Sequence, residues 1–531
     1  TITKTLHILA DYFLPHVGEM NFLEKAYQLG YMVQRLLYVA TGIEKPTDRD
    51  NYKFKRVELI GPMMKDLFRE YYTKQQHHVR LTFERIYDPS QAEYNDISTL
   101  IYRNYKDVFR DRIVETGFRK AFKGDWGSEQ HTKRIGVTQD LNRLSHNGMI
   151  SHLRKTNLPM DSSMKIVGPR LLHNTQWGLI DPIDTPDGGN VGLHKHLAIM
   201  SYITPELSRE PIIQWLRDNT SIKPLTQCIS TQLSNVTKII VNGYWYGVIH
   251  DPVTLIQEMK LHRRQGLLPI YVSISFEICK KELQIYTDGG RLCRPLFYKD
   301  DINKKFIFET PEWKNILDLL DKKDKSLWNL VISGFHTKTD STFDPLLGKI
   351  YKWEELYKDI SKEKIQSNKA LLEYVDTNES ENALVAMNNE SLLTSPLQYT
   401  HRELHDSTMF GVLCNMINFP ENNPATRNSF SCGQSKQACS LYSTNHQVRM
   451  DKTAVVLNNG QVPLVKSRYM QYINNEENPY GENAIVAVMC YTGYNVEDAI
   501  LINEGALQRG LFRTTYYTTY EGHEEKEIKH E

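Results

Sequence analysis

The chain has 531 residues, with 64 Lys plus Arg balanced by 64 Asp plus Glu, and 40% of its residues are hydrophobic. That length exceeds one hydrophobic core and predicts roughly three or four domains, while the balanced charge excludes a global basic field, so any nucleic-acid site must be a local patch. No apolar run approaches the roughly 18 residues of a membrane span, and the seven cysteines show no Cys-x-x-Cys or Cys/His zinc spacing, which fits a reduced, intracellular protein without structural zinc.

In chain order, Thr1–Ala10 has no signal-like organisation, and Asn21–Thr41 carries Phe22, Ala26, Leu29, Val33, Leu36 and Leu37 at helical spacing, an amphipathic helix. After the polar loop around Asp48-Arg49-Asp50, helical patterns run over Gly61–Ile86 and Ile97–Phe122 and stop at Gly124–Gly127. From His131 to His173 the chain turns basic: Lys133, Arg134, Arg143, Arg154, Lys155, Lys165 and Arg170 face only Asp140 and Asp161. The four histidines there (131, 146, 152 and 173) have no cysteine or carboxylate at metal spacing and read as packing or loop residues. Asp181–Gly189 follows, a proline- and glycine-rich turn.

Residues 204–300 read as a small mixed α/β domain. Lys238–Val248 is a hairpin about Asn242-Gly243, with further strands at Leu267–Phe276 and Glu282–Thr287. From 301 to about 400 the chain is charged, with helical pattern at Trp313–Leu320 and Lys352–Ile360 and a polar, linker-like stretch at Asp376–Asn382. Ala484–Met489 reads as a buried apolar strand that leads into Gly493-Tyr494-Asn495-Val496-Glu497-Asp498-Ala499. Two adjacent carboxylates at such a strand end suit magnesium, which takes hard oxygen ligands and often only one or two carboxylates. By itself an acidic pair in a turn is more often just a solvated loop. The acidic run Glu521–Glu531 has no apolar cover, and both ends read as cut rather than natural termini.

Three stretches together resemble one family, the second-largest (β-like) subunit of multisubunit DNA-directed RNA polymerases. Trp177–Leu193 is similar to its W-G-x-x-C-P-x-E-T-P-E-G-x-x-x-G-L signature. Arg427-Asn428-Ser429-Phe430 with Lys436-Gln437-Ala438 resembles its R-N-T-Y and G-K-Q-A segments. Gly493–Asp498, continued by Arg509-Gly510-Leu511-Phe512-Arg513, resembles its S-G-Y-N-x-E-D and D-R-G-L-F-R signature. Weaker echoes, such as Gly289–Leu296 and Val448–Asp451, keep the family's order along nearly the whole chain. The pattern resembles the eukaryotic, archaeal and large-DNA-virus branch, and the Gly433–Gln437 variant leans toward the viral members.

The resemblance implies an α+β multidomain chain, an internal portion of that subunit. Residues 1–55 would end the lobe, 56–125 form the returning part of the protrusion, and 126–203 the fork. External domains would span 204–300 and 301–404, with the first part of the hybrid-binding domain at 405–531. It implies a nucleotidyltransferase active only with the largest subunit, binding template DNA, the RNA transcript and nucleoside triphosphates, located in the nucleus or a viral factory.

Glu497 and Asp498 would face a second Mg2+ shared with the nucleotide and the largest subunit, and Arg427 the nucleotide's phosphates, where a guanidinium binds oxygens in a fork. Lys436 and Gln437 would contact RNA near its growing end. Arg143, Arg154, Lys155 and Arg170 would touch nucleic-acid phosphates, although each reads equally as part of a solvated basic face. Trp177 and Tyr494 are expected to pack in the core or in turns. The sequence departs from the family at Asp181 (usually Cys), at Asp184 and Asp187 (usually Glu), and at Ser435 (usually Gly). Two other classes remain open: a non-catalytic nucleic-acid scaffold of the same fold, and a metal-dependent phosphohydrolase built on the acidic pair.

Overall fold

The computed structural model describes residues 2–87, 97–109, 111–229, 233, 236–300, 304–311, 313, 314, 327–334 and 369–524. The expected helix at Lys352–Ile360, most of that at Trp313–Leu320 and the end of the acidic tail lie outside the described residues. The chain divides into two compact units, residues 58–143 and residues 1–57 with 144–531.

The smaller unit is helical. Helices Ile60–Ile86, Ile97–Val108 and Ile113–Phe122 follow the apolar periodicity, the last two separated where the sequence suggested one continuous element. Leu67, Tyr71, Ala121 and Trp126 form its core. Gly117 is required there because a Cβ would stand 2.5 Å from the Tyr71 ring.

In the larger unit, short helical turns over Ile2–His7, Ile8–Tyr12 and Pro15–Val17 lead into helix Phe22–Ala40. The expected element forms, but the expected burial does not: Lys25 and Gln28 are buried while Leu29, Val33, Leu36 and Leu37 are exposed. The Lys25 ammonium tolerates burial because Nζ donates to the carbonyls of Leu9 and Ala10, at 2.6 and 3.0 Å.

Strands β1 (Lys155–Asn157) and β2 (His194–His196) pair antiparallel, Lys155 opposite His196. After β3 (Tyr202–Ile203) comes a five-stranded sheet of β4 (Lys223–Pro224), β5 (Thr237–Val241), β6 (Tyr244–Ile249), β7 (Ser273–Glu277) and β8 (Glu282–Tyr286), in the order β4-β6-β5-β8-β7. Only β5 and β8 run parallel. The β5–β6 turn has φ of 48° at Asn242 and 80° at Gly243, the left-handed pair an Asn-Gly hairpin needs. Helices Glu210–Asn219 and Pro252–Arg264 supply Ile212, Trp215, Leu216, Leu255 and Met259 to its core. The expected strand at Leu267–Phe276 shortens to β7, since Leu267–Val272 forms a turn around Pro269.

A second sheet has the order β10-β9-β12-β11, from β9 (Leu292–Tyr298), β10 (Leu372–Asp376), β11 (Val385–Ala386) and β12 (His401–Arg402), with β3 also on β9. Asp376–Asn382, expected to be a linker, is instead a short helix, Thr377–Ser380, capped by Asp376 and buried at Thr377, Asn378 and Glu379. Its polarity serves pairing rather than solvation. Arg263 bonds Glu379 and lies 3.3 Å from Glu373, Arg264 Nε lies 2.8 Å from Glu373, and Arg291 lies 2.9 Å from Asp376, all of them buried. Burial alone would raise the Glu373 carboxyl, but Arg264, Arg263 and His401 hold it well below the usual carboxylate range.

Strands β13 (Thr453–Leu457) and β14 (Thr514–Thr518) pair antiparallel near the C-terminal end. Among the described residues no helix is long and apolar enough to cross a membrane.

Candidate functional site

The proline-rich turn after Ile180 is pinned from within. Asp181 is 4% exposed. Its Oδ1 accepts the Ile183 N–H at 2.9 Å and the Cys414 thiol at 3.3 Å, and its Oδ2 accepts the Gly411 N–H at 2.7 Å. Burial pushes its pKa up, against the pull of those donors. Two glycines of the segment are conformationally fixed. Gly178 has φ +68° with a Cβ position 2.4 Å from Arg294 Nη1, and Gly192 has φ +72° with one 2.3 Å from the Arg170 carbonyl oxygen.

Three residues later Asp184, 3% exposed, accepts Lys436 Nζ at 2.9 Å. The Asp184 carbonyl accepts a bond from His196 Nδ1 at 2.9 Å, so the ring proton sits on Nδ1 and the Nε2 lone pair accepts Lys436 Nζ at 3.2 Å. Burial first, and Lys436 and Lys155 after it, push the His196 pKa down; Asp184 opposes them. The ammonium has three protons, and this pair of acceptors uses two.

Lys436 ends helix Ala425–Lys436, which starts after Pro424. One face of that helix is fastened to the turn: Ser429 Oγ donates to the Ile183 carbonyl at 2.8 Å, and Cys432 Sγ lies 3.5 Å from Cys414 Sγ. Its last carbonyls accept Ser145 Oγ, at 3.2 Å from Ser435 and 2.7 Å from Lys436. The same Oγ accepts the Gly148 N–H and so caps helix His146–Leu153. Arg427 projects from the other face, exposed, its guanidinium 5.4 Å from the Phe430 ring. No carboxylate among the described residues lies within ion-pair distance of Arg427. Gln437 is exposed at the helix end.

The basic candidates divide. Arg154 turns inward, Nη2 donating to the carbonyls of Ala198 and Ile199 at 2.7 and 3.3 Å, and burial lowers its pKa. Arg170 clamps the 188–192 turn through the carbonyls of Gly189, Val191 and Ser162, at 2.6, 2.9 and 2.8 Å. Lys155 is exposed on β1, and partial loss of water around its ammonium, with the Lys436 charge, lowers its pKa. Arg143 is half-buried and closes the smaller unit.

Glu497 and Asp498 are both exposed. Asn495 shapes their turn, its Oδ1 accepting the Tyr491 N–H at 3.0 Å and its Nδ2 donating to the Met489 carbonyl at 2.6 Å, and Glu497 has φ +57°. The preceding Ala484–Met489 is neither a strand nor buried, contrary to expectation: Ile485, Val486 and Val488 are 105%, 78% and 98% exposed. It pairs with no strand among the described residues, and an unpaired segment has no sheet against which to bury its apolar side chains. Trp177 and Tyr494, expected to pack, are 44% and 78% exposed. Among the described residues no group of three or more His, Cys, Asp or Glu side chains could hold a metal ion. The acidic pair offers only two carboxylates and fits magnesium as added ligands to an ion carried by phosphates.

His196 and Ser145 escaped the sequence reading, as did the bond by which Ser429 ties its helix to the turn. Ser145 carries a helix N-cap signal. The contact of His196 with Lys436 bridges 240 positions and has no local pattern.

Models described as RNA polymerase Rpb2 domains match the chain at residues 3–58 (domain 2), 139–203 (domain 3), 239–300 (domain 4) and 413–531 (domain 6). Similar relatives include DNA-directed RNA polymerase II subunit RPB2 of Encephalitozoon cuniculi, 35% identical over 98% of this chain and 42% of its own length. DNA-directed RNA polymerase II subunit 2 of Arabidopsis thaliana is 34% identical over 98% of this chain and 41% of its own length. DNA-directed RNA polymerase subunit Rpo2 of Sulfolobus acidocaldarius is 30% identical over 99% of this chain and 42% of its own length. The chain thus spans about 42% of the length of the relatives it matches.

Proposed function

Because the chain belongs to the family of second-largest subunits of multisubunit DNA-directed RNA polymerases, we propose that it helps form the active centre of such an enzyme and acts with the largest subunit in template-directed nucleotidyl transfer. One observation supports this above the rest. The turn at 181–187 and the helix at 425–436 are joined through Lys436–Asp184 and Ser429–Ile183, so two family signatures are fastened together with the Arg427 guanidinium left outward. In this reading residues to about 55 finish the lobe, 56–125 belong to the protrusion, 126–203 form the fork, 204–404 form the external domains, and 405 onward begins the hybrid-binding domain.

Arg427 then binds the phosphates of the incoming nucleotide, where an unpaired guanidinium is worth more than one spent on a carboxylate. Lys436 offers its remaining proton to the RNA backbone, held in place by Asp184 and His196, and Gln437 adds an amide donor beside it. Lys155 is the basic-segment residue best placed for phosphate contact, with Arg143 a second. Arg154 and Arg170 contribute positive potential while bracing the turn. Glu497 and Asp498 supply carboxylate oxygens to a nucleotide-borne magnesium. That ion, when bound, stabilises the charge that develops on the transferred phosphoryl group and the departing pyrophosphate. DNA, the transcript, nucleotides and the other polymerase subunits are the partners of this reading, in the nucleus or in a viral factory.

The test reconstitutes the full-length subunit with its partners and measures RNA extension on a primed scaffold. Arg427→Ala and Glu497→Ala/Asp498→Ala are expected to slow nucleotide addition by about 10- to 100-fold, the loss of one charge-assisted contact, with scaffold binding retained. Unchanged extension would refute these roles and leave the non-catalytic scaffold. Activity from the isolated chain would favour the phosphohydrolase.

A further inference from the structure

One face of helix Phe22–Ala40 does not meet solvent on a flat surface. Leu23, Ala26, Tyr27, Gly30, Tyr31, Gln34 and Tyr38 follow one another at helical spacing along one wall of a groove. Val236, Lys238 and Trp245 of the β5–β6 hairpin region form the opposite wall, and Cys279, Lys280 and Lys281 form the rim. The cavity measures about 850 Å³. From Leu23 to Tyr38 the helix rises about 22 Å, which is long for a compact metabolite and matches six or seven residues of extended peptide. The space is open at its middle: nothing lies within 4 Å of a Cβ at Gly30, while Leu23 is 57% and Tyr27 37% exposed.

The charges select the occupant. Four cations line the groove (Arg35, Lys238, Lys280 and Lys281) against the carboxylate of Glu44, in a protein whose total charge is zero. Glu44 is committed to Arg35, and Glu282 to Lys238 and Tyr31. Lys280 is held by Glu277 at 2.6 Å, and Lys281 has no carboxylate within ion-pair distance among the described residues. Lys281 is also fixed in place: its φ is +51° and its carbonyl accepts the Lys238 N–H at 2.9 Å. The rim therefore presents an uncompensated ammonium, on a fixed backbone position, above an aliphatic and aromatic floor. A single-stranded nucleic acid would need open ring faces for its bases. The rings of Tyr31 and Trp245 are covered by Lys238, 4.7 and 5.7 Å from their centroids.

We propose that the groove between helix Phe22–Ala40 and the β5–β6 hairpin docks an acidic peptide segment of a partner protein, one that carries Leu or Phe anchors between Asp and Glu residues. The anchors cover Leu23, Ala26 and Tyr27, and the carboxylates meet Lys281 and Lys280.

Cys279 provides the readout, being an exposed free thiol on the rim, and Cys439 and Cys490, also exposed, are controls away from the groove. The full-length protein is alkylated with iodoacetamide, and the rate at each cysteine is followed by peptide mass. A synthetic peptide of Asp, Glu, Leu and Phe is expected to slow the reaction at Cys279 by about tenfold when its free concentration is about ten times the dissociation constant, with Cys439 and Cys490 unaffected. Lys280→Glu/Lys281→Glu, exchanges at the surface, is expected to abolish the protection while leaving the thermal unfolding curve in place. Four results would each overturn the proposal: no protection, equal protection by a Lys-for-Asp/Glu control peptide, protection by oligothymidylate instead, or a Cys279 already inert before any peptide is added, which would mean that the protein itself fills the groove.

Discussion

Lys436 Nζ lies 2.9 Å from Asp184 Oδ1, a bond between residues 252 positions apart that ties the end of the Arg427 helix to the proline-rich turn. Asp184 is 4% and Lys436 23% exposed at the side chain, so the pair is shielded without being sealed. Asp184→Asn keeps the shape and removes the charge, leaving Lys436 only neutral acceptors, the amide oxygen and His196. It is expected to cost about 1–3 kcal/mol of stability, read by denaturant unfolding. Asp184→Glu, the residue usual in the family, is expected to keep the bond and most of that stability.

The buried cluster on the second sheet should respond more strongly. Glu379→Ala leaves the Arg263 guanidinium, 1% exposed, without its main partner. Burial opposes that charge and only Glu379 and Glu373 outweigh it, raising the Arg263 pKa. The expected loss is about 3–5 kcal/mol, measured as the denaturation midpoint. Arg263→Met combined with Glu379→Leu should lose much less, because neither charge is then stranded.

Stability should also fall on the acid side through His196 and His262, whose pKa values burial pushes below the usual 6.5. The unfolded chain takes up protons near pH 6.5 while the buried rings do not, so it binds more protons and unfolding becomes easier as pH drops from about 7 to 5. For His196 the facing groups are Asp184, Lys436 and Lys155. His196→Gln is expected to flatten that slope, measured as the thermal midpoint against pH. An unchanged slope would mean that His196 takes up its proton over the same pH range in the folded and the unfolded chain, and would overturn the assignment.

Two glycines with similar backbone angles should differ. Gly192→Ala combines φ of +72° with a Cβ 2.3 Å from a backbone oxygen, and is expected to cost about 2–4 kcal/mol. Gly243→Ala has φ of +80° and nothing within 4 Å, and should cost only about 1 kcal/mol. Thermal unfolding of the two variants side by side distinguishes collision from backbone preference.

Elements with local signals were legible in the sequence. The Asn242-Gly243 hairpin, the helix Ile60–Ile86 and the break at Gly124–Gly127 each follow from spacing or turn chemistry within a few residues. Burial was not legible where a partner lies far along the chain. Asp376–Asn382 reads as solvated because its carboxylates are polar, yet they meet Arg291 and Arg263, the latter 116 positions before Glu379. Leu36 and Val486 read as buried because they are apolar, yet no neighbour among the described residues covers them. The same limit governs the site. Arg427, Lys436 and the acidic pair can be named from motifs, while the grip of Asp184 and His196 on Lys436 arises only from folding, and no short window contains it.

The separation between Arg263 and Glu379 also sets an order of events. Neither a guanidinium nor a carboxylate can enter an apolar interior ahead of its counter-charge. During synthesis at about 5–20 residues per second, the interval of 116 positions corresponds to a delay on the order of ten seconds. Over that time helix Pro252–Arg264 can form its turns and dock its apolar side on the first sheet, but the arginines at its end must stay hydrated until β10 and the helix at 377–380 arrive. The second sheet can therefore close around the two arginines only after Glu373 and Glu379 have been made.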